Sequence, residues 1–73
     1  MSTYIYAVCE DGYNHLRTIN GSSMQDAKEK IIDLFRDEFE IDKEFSNWNE
    51  FLDFMYDEYG VIITQSIQDI EAI

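Results

Sequence analysis

The chain has 73 residues, of which 45% are hydrophobic and 15% aromatic, and this content predicts one small folded domain over residues 1–73 rather than a disordered tail. Its 16 acidic residues against 5 basic ones give a net charge of -11, which repels nucleic acid and anionic membranes and favours a basic partner. One cysteine and one histidine exclude a disulfide within the chain and a zinc site of nitrogen and sulfur ligands.

The first residues, Met1–Ile5, show no basic segment followed by an apolar stretch, so no secretory signal is predicted. No apolar run approaches the ~20 residues that a membrane-spanning helix needs. A lone thiol, Cys9, is typical of a reducing compartment. Together these features predict a cytoplasmic protein that does not associate with membranes.

The first predicted element is a β-hairpin. The residues on both sides of Asp11-Gly12 are rich in β-branched and aromatic side chains, and this dipeptide is typical of a two-residue type I′ turn. Such a turn places Val8 opposite His15. A three-residue loop would instead shift the register and mix the two faces of the hairpin.

The register separates two faces, because side chains alternate along a strand. The first face would carry Ile5, Ala7, Cys9, Leu16 and Thr18. The second face would carry Tyr4, Tyr6, Val8, Tyr13, His15, Arg17 and Ile19. We expect the small, apolar first set to lie under the helices and the second set to face solvent. Because tyrosines are enriched at interfaces, the second face is a candidate secondary interface through Tyr4, Tyr6, Tyr13, His15 and Arg17.

The sequence does not predict a catalytic site. A nucleophilic cysteine needs a nearby base, but this register puts Cys9 and His15 on opposite faces, so Cys9 is interpreted as a buried structural residue. The chain has no glycine-rich phosphate loop and no nucleophile elbow. We therefore expect no enzymatic activity and no bound cofactor.

One segment, residues 42–53, has part of the pattern of a calcium-binding loop, with acidic or hydroxyl side chains at loop positions 1, 3, 5 and 12. Position 6 is Asn47 instead of the glycine that the turn requires, and position 12 is Asp53 instead of a bidentate glutamate. The sequence therefore predicts no metal site.

Two amphipathic helices are predicted after the hairpin. Ser23 with Asp26 three residues later resembles a capping box, and the apolar residues that follow recur at helical spacing, so the first helix is placed at about 23–39. Asn47 begins a second pattern of the same kind. Gly60 occurs where a glycine commonly ends a helix.

Residues 61–64 predict a final strand with an extension to about Ile67, whereas residues 68–73 show no clear pattern. The order β-β-α-α-β predicts an α+β fold, with a three-stranded antiparallel sheet and two helices packed on one face. The strand that the last one joins is left open. The predicted core comprises Ile5, Ala7, Leu16, Ile31, Leu34, Phe35, Trp48, Phe51, Leu52, Met55 and Ile63.

The acids concentrate on the predicted helices. Residues 26–58 contain twelve acids against four bases, hence eight excess negative charges. Acids repeat at helical spacing, largely opposite the apolar residues, and form the predicted partner-binding surface: Asp26, Glu29, Asp33, Asp37, Glu40, Glu50, Asp53, Asp57 and Glu58. A solvated face that only keeps the protein soluble would show the same pattern. Against that, like charges at i,i+4, such as Asp33 and Asp37, destabilise a helix.

The spacing of these acids can be compared with that of phosphates. One acid in every 3.5 residues places a charge roughly every 5 Å along a helix. Two such helices side by side would give one per ~2.6 Å, against one per ~1.7 Å for duplex DNA. Because basic residues are few, the chain itself is not expected to bind nucleic acid. Its acidic surface could instead occupy a basic groove.

In length, composition and lack of catalytic groups, the chain resembles small acidic inhibitors of phages and mobile elements, some of which mimic DNA. The resemblance implies an inhibitor or regulator that docks on the basic, nucleic-acid-binding site of a partner protein. The alternative is a small interaction module that forms a homodimer or binds a partner through the tyrosine-rich sheet face, with charge serving only solubility. Salt dependence separates the two, because charge steers only the first.

Overall fold

The computed structural model describes residues 2–64 and 67–70. Its elements are β1 (Ser2–Glu10), β2 (Tyr13–Gly21), α1 (Met24–Glu38), α2 (Trp48–Tyr59), β3 (Ile62–Ile63) and β4 (Gln68–Asp69). The predicted α+β class, with two helices and an antiparallel sheet, is confirmed. The predicted count of three strands is wrong, because the short strand β4 follows β3. The predicted extension of the last strand falls partly on residues 65 and 66, which lie outside the described residues.

The hairpin has the predicted register. Val8 pairs with His15, as expected for a two-residue loop. Asp11 and Gly12 have φ values of 51° and 81°, and positive φ at both central residues is the requirement of a type I′ turn. A local turn signal was therefore sufficient to set the pairing of two nine-residue strands.

Strand β1 is the centre of the sheet. It pairs with β2 along one edge and with both β3 and β4 along the other, always antiparallel. Val8 pairs with Ile63, and Tyr4 pairs with Asp69. The two short strands thus lie along the same edge of β1, and this is where the end of the chain joins the sheet.

Between these two short strands, a side chain takes part in the ladder. The backbone N–H of Ala7 donates to the Thr64 hydroxyl at 2.9 Å, and that hydroxyl donates to the Ala7 carbonyl at 3.0 Å. The backbone N–H of Thr64 also donates to the Ala7 carbonyl, at 2.9 Å. These bonds satisfy the backbone N–H and carbonyl of Ala7 opposite Thr64, which lies just after the end of β3.

Both helices begin at the predicted caps. The Ser23 side chain accepts from the backbone N–H of Asp26 at 3.1 Å, and the Asn47 side chain accepts from that of Glu50 at 2.8 Å. Each bond satisfies one of the free N–H groups of a helix start. Gly60 ends α2 with a left-handed φ of 67°, which a glycine adopts without strain.

The core lies between the helices and one face of the sheet. Its buried side chains are Tyr4, Tyr6, Val8, Ala27, Ile31, Phe35, Ile41, Phe51, Leu52, Met55, Val61, Ile63 and Ile67. Phe35 of α1 and Phe51 of α2 join the helices, with ring centroids 5.9 Å apart. Phe45, from the loop between the helices, packs against Phe51 at 5.3 Å.

The prediction of which hairpin face is buried is wrong. Tyr4 and Tyr6 point into the core with Val8. Leu16, expected under the helices, is 69% exposed, and Ile5 and Ala7 of the same face are only partly buried. The physical reason is area, because two helices need a large apolar surface to pack on and a buried tyrosine supplies roughly 150–250 Å². The small face could not supply it.

Two other predicted core residues differ from expectation. Leu34 is 38% exposed, at the edge of the buried stripe of α1. Trp48 is partly buried and packs against the core without being enclosed by it. The remaining helical members, together with Ile63, are buried as predicted.

Candidate functional site

The structure places most of the predicted acidic residues in one layer. Apart from Glu38, which pairs with Arg17, we call the exposed acids of α1, α2 and the loop between them the acidic helix layer: Glu29, Asp33, Asp37, Glu40, Asp42, Glu44, Asp53, Asp57 and Glu58. Asp42 and Glu44, from the loop, extend the set that helical spacing predicted. The inner sides of both helices form the core, so most of these acids face away from the sheet. Asp53 is different, because it lines a depression with Ile62 and Thr64 beside β3.

Most basic residues of the chain are engaged internally. Arg17 bonds Glu38 at 3.1 Å, Lys30 contacts Asp26 at 3.1 Å, and Lys43 contacts Glu50 at 3.3 Å. These contacts leave few cations to neutralise the helix layer. Lys28 lies 5.8 Å from the centre of the Trp48 ring, in the geometry of a cation–π contact.

Two of the predicted binding acids, Asp26 and Glu50, have roles at the helix starts. The Asp26 carboxylate accepts from the Ser22 backbone N–H at 2.9 Å, and Glu50 accepts from that of Ser46 at 3.4 Å. Hydrogen bonds from Ser22, then Lys30, lower the pKa of Asp26, and bonds from Ser46 and Lys43 lower that of Glu50 in the same way. Both carboxylates are therefore already committed to the fold.

The other acids are not neutralised. Within residues 2–64 and 67–70, no ion pair reaches Asp33, Asp37 or Glu40 of the first half of the layer. The same holds for Asp53 and Asp57 of α2. These carboxylates contribute charge without an internal partner, so they are available to an external cation.

A depression of about 220 Å³ lies within the layer, lined by Glu29, Ile32, Asp33, Arg36, Glu44 and Phe45. Ile32 and Phe45 are half-buried and provide an apolar floor, while three carboxylates stand at its rim. Arg36 adds a positive charge to the lining, and its Nε is buried without a hydrogen-bond partner. Such a site suits the apolar stem and charged head of a lysine or arginine.

The predicted secondary interface does not form a surface. Tyr6 is only 2% exposed and Tyr4 is also buried, whereas Tyr13 is 74% exposed at the hairpin end. His15 lies there too, with its Nε2 at 3.9 Å from the Glu10 carboxylate. Arg17 turns back to Glu38 and lies over the Phe35 ring. The structure thus separates these residues.

Tyr6 has an unusual environment. Its hydroxyl is buried and makes no hydrogen bond of acceptable geometry. Burial raises the pKa of Tyr6 above its ordinary value of 10.0, and the nearby Arg17 guanidinium offsets this only in part. The hydroxyl is therefore a desolvated group held by the packing around its ring.

The other side of the sheet is a surface that the sequence analysis missed. We call it the open sheet face, made of the β-strand side chains that point away from the helices: Thr3, Ile5, Ala7, Cys9, Asn14, Leu16, Thr18, Asn20, Ile62 and Gln68. None is charged. The available signal was the absence of acids from residues 12–25.

The chemistry of a thiol enzyme or metal site is not assembled. Cys9 lies on the open sheet face and His15 on the opposite one, as the register requires. Among the described residues, no three histidine, cysteine, aspartate or glutamate side chains come together in a way that could hold a metal ion. Neither described helix combines the length and apolar character needed to cross a membrane.

Comparison of the chain with protein-family models, with curated proteins and with solved structures gives no significant match.

Proposed function

We propose that this protein is a non-catalytic inhibitor or regulator whose acidic helix layer docks on the basic, nucleic-acid-binding site of a partner protein. The observation that carries the proposal is that most basic residues are paired within the chain, whereas most acids of the layer are not. Arg17, Lys30 and Lys43 are used in internal contacts, while the acids of the layer are exposed to solvent.

The free-energy balance supports a binding role. Asp33 and Asp37 lie one turn apart on α1, and Asp53 and Asp57 do so on α2. Each such pair of like charges costs a few tenths of a kcal/mol. Mixed charges would keep the protein equally soluble without that cost. A cationic partner removes the repulsion on binding, and the same field speeds its approach at low salt.

The geometry of the layer supports a partner that normally holds phosphates. The helices touch through the Phe35 and Phe51 rings, and both expose acids to solvent. At the spacing of one charge per ~2.6 Å estimated for two helices, the layer approaches the ~1.7 Å of duplex DNA. The depression beside Glu29, Asp33 and Glu44 adds a place where one basic side chain of the partner can anchor.

The test begins with capture of partners from the source cell at low and high salt. A partner that fits the proposal binds only at low salt and is released by added duplex DNA or RNA, because both ligands compete for one basic groove. A captured protein that nucleic acid does not release would contradict the nucleic-acid-binding site as the target.

Charge reversals then locate the surface. The pair Asp33→Lys with Asp37→Lys, and the pair Asp53→Lys with Asp57→Lys, should each weaken binding at least about tenfold and flatten its salt dependence. Each of the four reversals is also made singly and compared with Glu10→Lys, which makes the same charge change at the hairpin end. Equal loss in all variants would mean that net charge alone governs binding, and the helix layer would not be the site.

A further inference from the structure

The open sheet face is unlike the solvated face of an ordinary antiparallel sheet. Such a sheet packs one face on the core and turns polar side chains to water from the other. Here the outward positions include Ile5, Ala7 and Cys9 of β1, with Leu16 and Ile62 on either side. Leu16 is 69% exposed and Ile62 is 51% exposed. No described helix lies over this face.

We propose that a second copy of this chain packs on the open sheet face, so that two sheets meet face to face with the helices outside. The first reason is electrostatic. Copies that each carry a charge of -11 repel each other least through a surface poor in acids. The side chains of the open sheet face are uncharged, and Asp53 approaches it only at the Ile62 edge. A foreign charged partner would find nothing complementary there, whereas an identical neutral face matches it.

The arrangement also keeps the charged layers apart. Packed sheets lie about 10 Å from each other, and each helix layer lies on the far side of its own sheet. The distance between the two acidic helix layers therefore exceeds the Debye length of ~8 Å at physiological ionic strength. Their repulsion is largely screened, although it is not removed.

The shape of the face suits a two-fold contact. Leu16 projects from β2 directly beside Ala7 of β1, so a large side chain stands next to a small one. In a two-fold pair, the same patch is used by both copies. The Leu16 side chain of each copy can then enter the hollow above Ala7 of the other, as side chains of packed sheets interdigitate.

The area predicts a weak, reversible dimer. Nine-residue strands at ~3.3 Å per residue span about 30 Å, and three strand rows at ~4.8 Å span about 14 Å. The face thus measures roughly 420 Å² per copy, about half the ~800 Å² that a standard interface uses on each partner. Dimers should form at high micromolar protein and dissociate on dilution.

Sedimentation equilibrium over a wide range of protein concentration tests the proposal. The parent should dimerise, and Leu16→Glu should weaken the dimer by at least about a hundredfold, because each dimer would bury two unpaired carboxylates. Ile62→Glu, at the opposite edge of the same face, should do the same. Leu34→Glu makes the identical change on α1 and serves as the matched control, with folding of each variant checked by circular dichroism.

Salt gives a second, independent readout. Screening weakens repulsion between like-charged copies, so added salt should strengthen the dimer, whereas it weakens docking of the acidic helix layer on a basic partner. The two proposals can therefore fail separately. A dimer that weakens with salt would contradict contact through the uncharged face.

The Cys9 thiol reports on the face directly, because it is the only thiol in the chain and lies on that face. Its reaction with a maleimide should slow as protein concentration rises in the parent and in Leu34→Glu, but not in Leu16→Glu. A parent that stays monomeric at millimolar concentration would overturn the proposal. So would a dimer that survives both Leu16→Glu and Ile62→Glu, since its contact would then lie elsewhere, such as the open edge of β2.

Discussion

The acidic helix layer carries many charged side chains, whereas the side chains of the open sheet face carry no charge. The helices bury large apolar side chains on the inside and expose carboxylates on the outside. The open sheet face exposes apolar and neutral polar side chains with no covering layer among the described residues. A strong net charge is therefore not spread evenly, and each surface favours a different kind of partner.

This division is already present along the chain. Twelve acids fall within residues 26–58, which form most of the two helices and their loop, and none falls within residues 12–25, which contain the whole of β2. Because each segment becomes one layer, folding converts a separation in sequence into a separation in space. Average composition, which gives only the net charge, hides this.

The largest expected effect compares a buried side chain beneath the acidic helix layer with an exposed side chain on the open sheet face. Phe35→Ala removes a buried ring that contacts Phe51 and should lower the free energy of unfolding by about 3–5 kcal/mol. Leu16→Ala, on the open sheet face, should change it by no more than about 0.5 kcal/mol. Urea unfolding followed by circular dichroism measures both.

A domain of 73 residues has only roughly 4–11 kcal/mol of total stability, so Phe35→Ala is studied in a stabilising osmolyte, which favours the compact state. Similar losses for Phe35→Ala and Leu16→Ala would show that the sheet face is covered in the folded monomer, and the contrast between the two surfaces would not hold.

A smaller effect concerns the cost of the unpaired acids. Replacing Asp33 and Asp37 together by asparagine removes a like-charge pair on α1 and should raise the free energy of unfolding by a few tenths of a kcal/mol at low salt. The gain should shrink as salt screens the charges. The matched control is Asn14→Ala with Thr18→Ala on the open sheet face, whose effect should not depend on salt. Salt-independent stabilisation by the aspartate changes would contradict the repulsion assigned to the layer.

A further effect, small at neutral pH, concerns Tyr6, between the two layers. Its hydroxyl has no hydrogen-bond partner, so Tyr6→Phe should change the free energy of unfolding by less than about 1 kcal/mol near pH 7. At alkaline pH the parent should differ from the variant. The pKa of Tyr6 is raised in the folded state, so its contribution is complete below the ordinary pKa and is lost as pH rises through the folded-state pKa.

The measurement is urea unfolding of both proteins from neutral to alkaline pH. Tyr13→Phe, at the exposed hairpin end, is the control and should follow the parent at every pH. Equal alkaline sensitivity of the parent and Tyr6→Phe would place the titrating group elsewhere.

Local features of this fold were readable from the sequence. The turn at Asp11-Gly12 and the caps at Ser23 and Asn47 depend on side chains within a few residues of each other, so their patterns predict them directly. The glycine that ends α2, Gly60, belongs to the same class. These signals were enough to give both helices, the hairpin and its register.

Features set by distant contacts were not readable. The register of the hairpin defines two faces but does not say which of them the helices cover, and that choice depends on the area that Tyr4 and Tyr6 supply. Strand β4 is two residues long, too short for any alternating pattern. Asp26 and Glu50 were grouped with the binding acids. In the structure they accept backbone N–H bonds at the helix starts and contact Lys30 and Lys43.

The central position of β1 has a consequence for biosynthesis. Strand β1 pairs with β3 and β4, which follow both helices in the chain, so one side of β1 stays unpaired while the helices are being made. At roughly 5–20 residues per second, this interval lasts some seconds on the ribosome. The hairpin and α1 can form during that time, but the sheet can close only after the region around Thr64 has emerged. Closure of the sheet therefore waits for segments that are made after both helices.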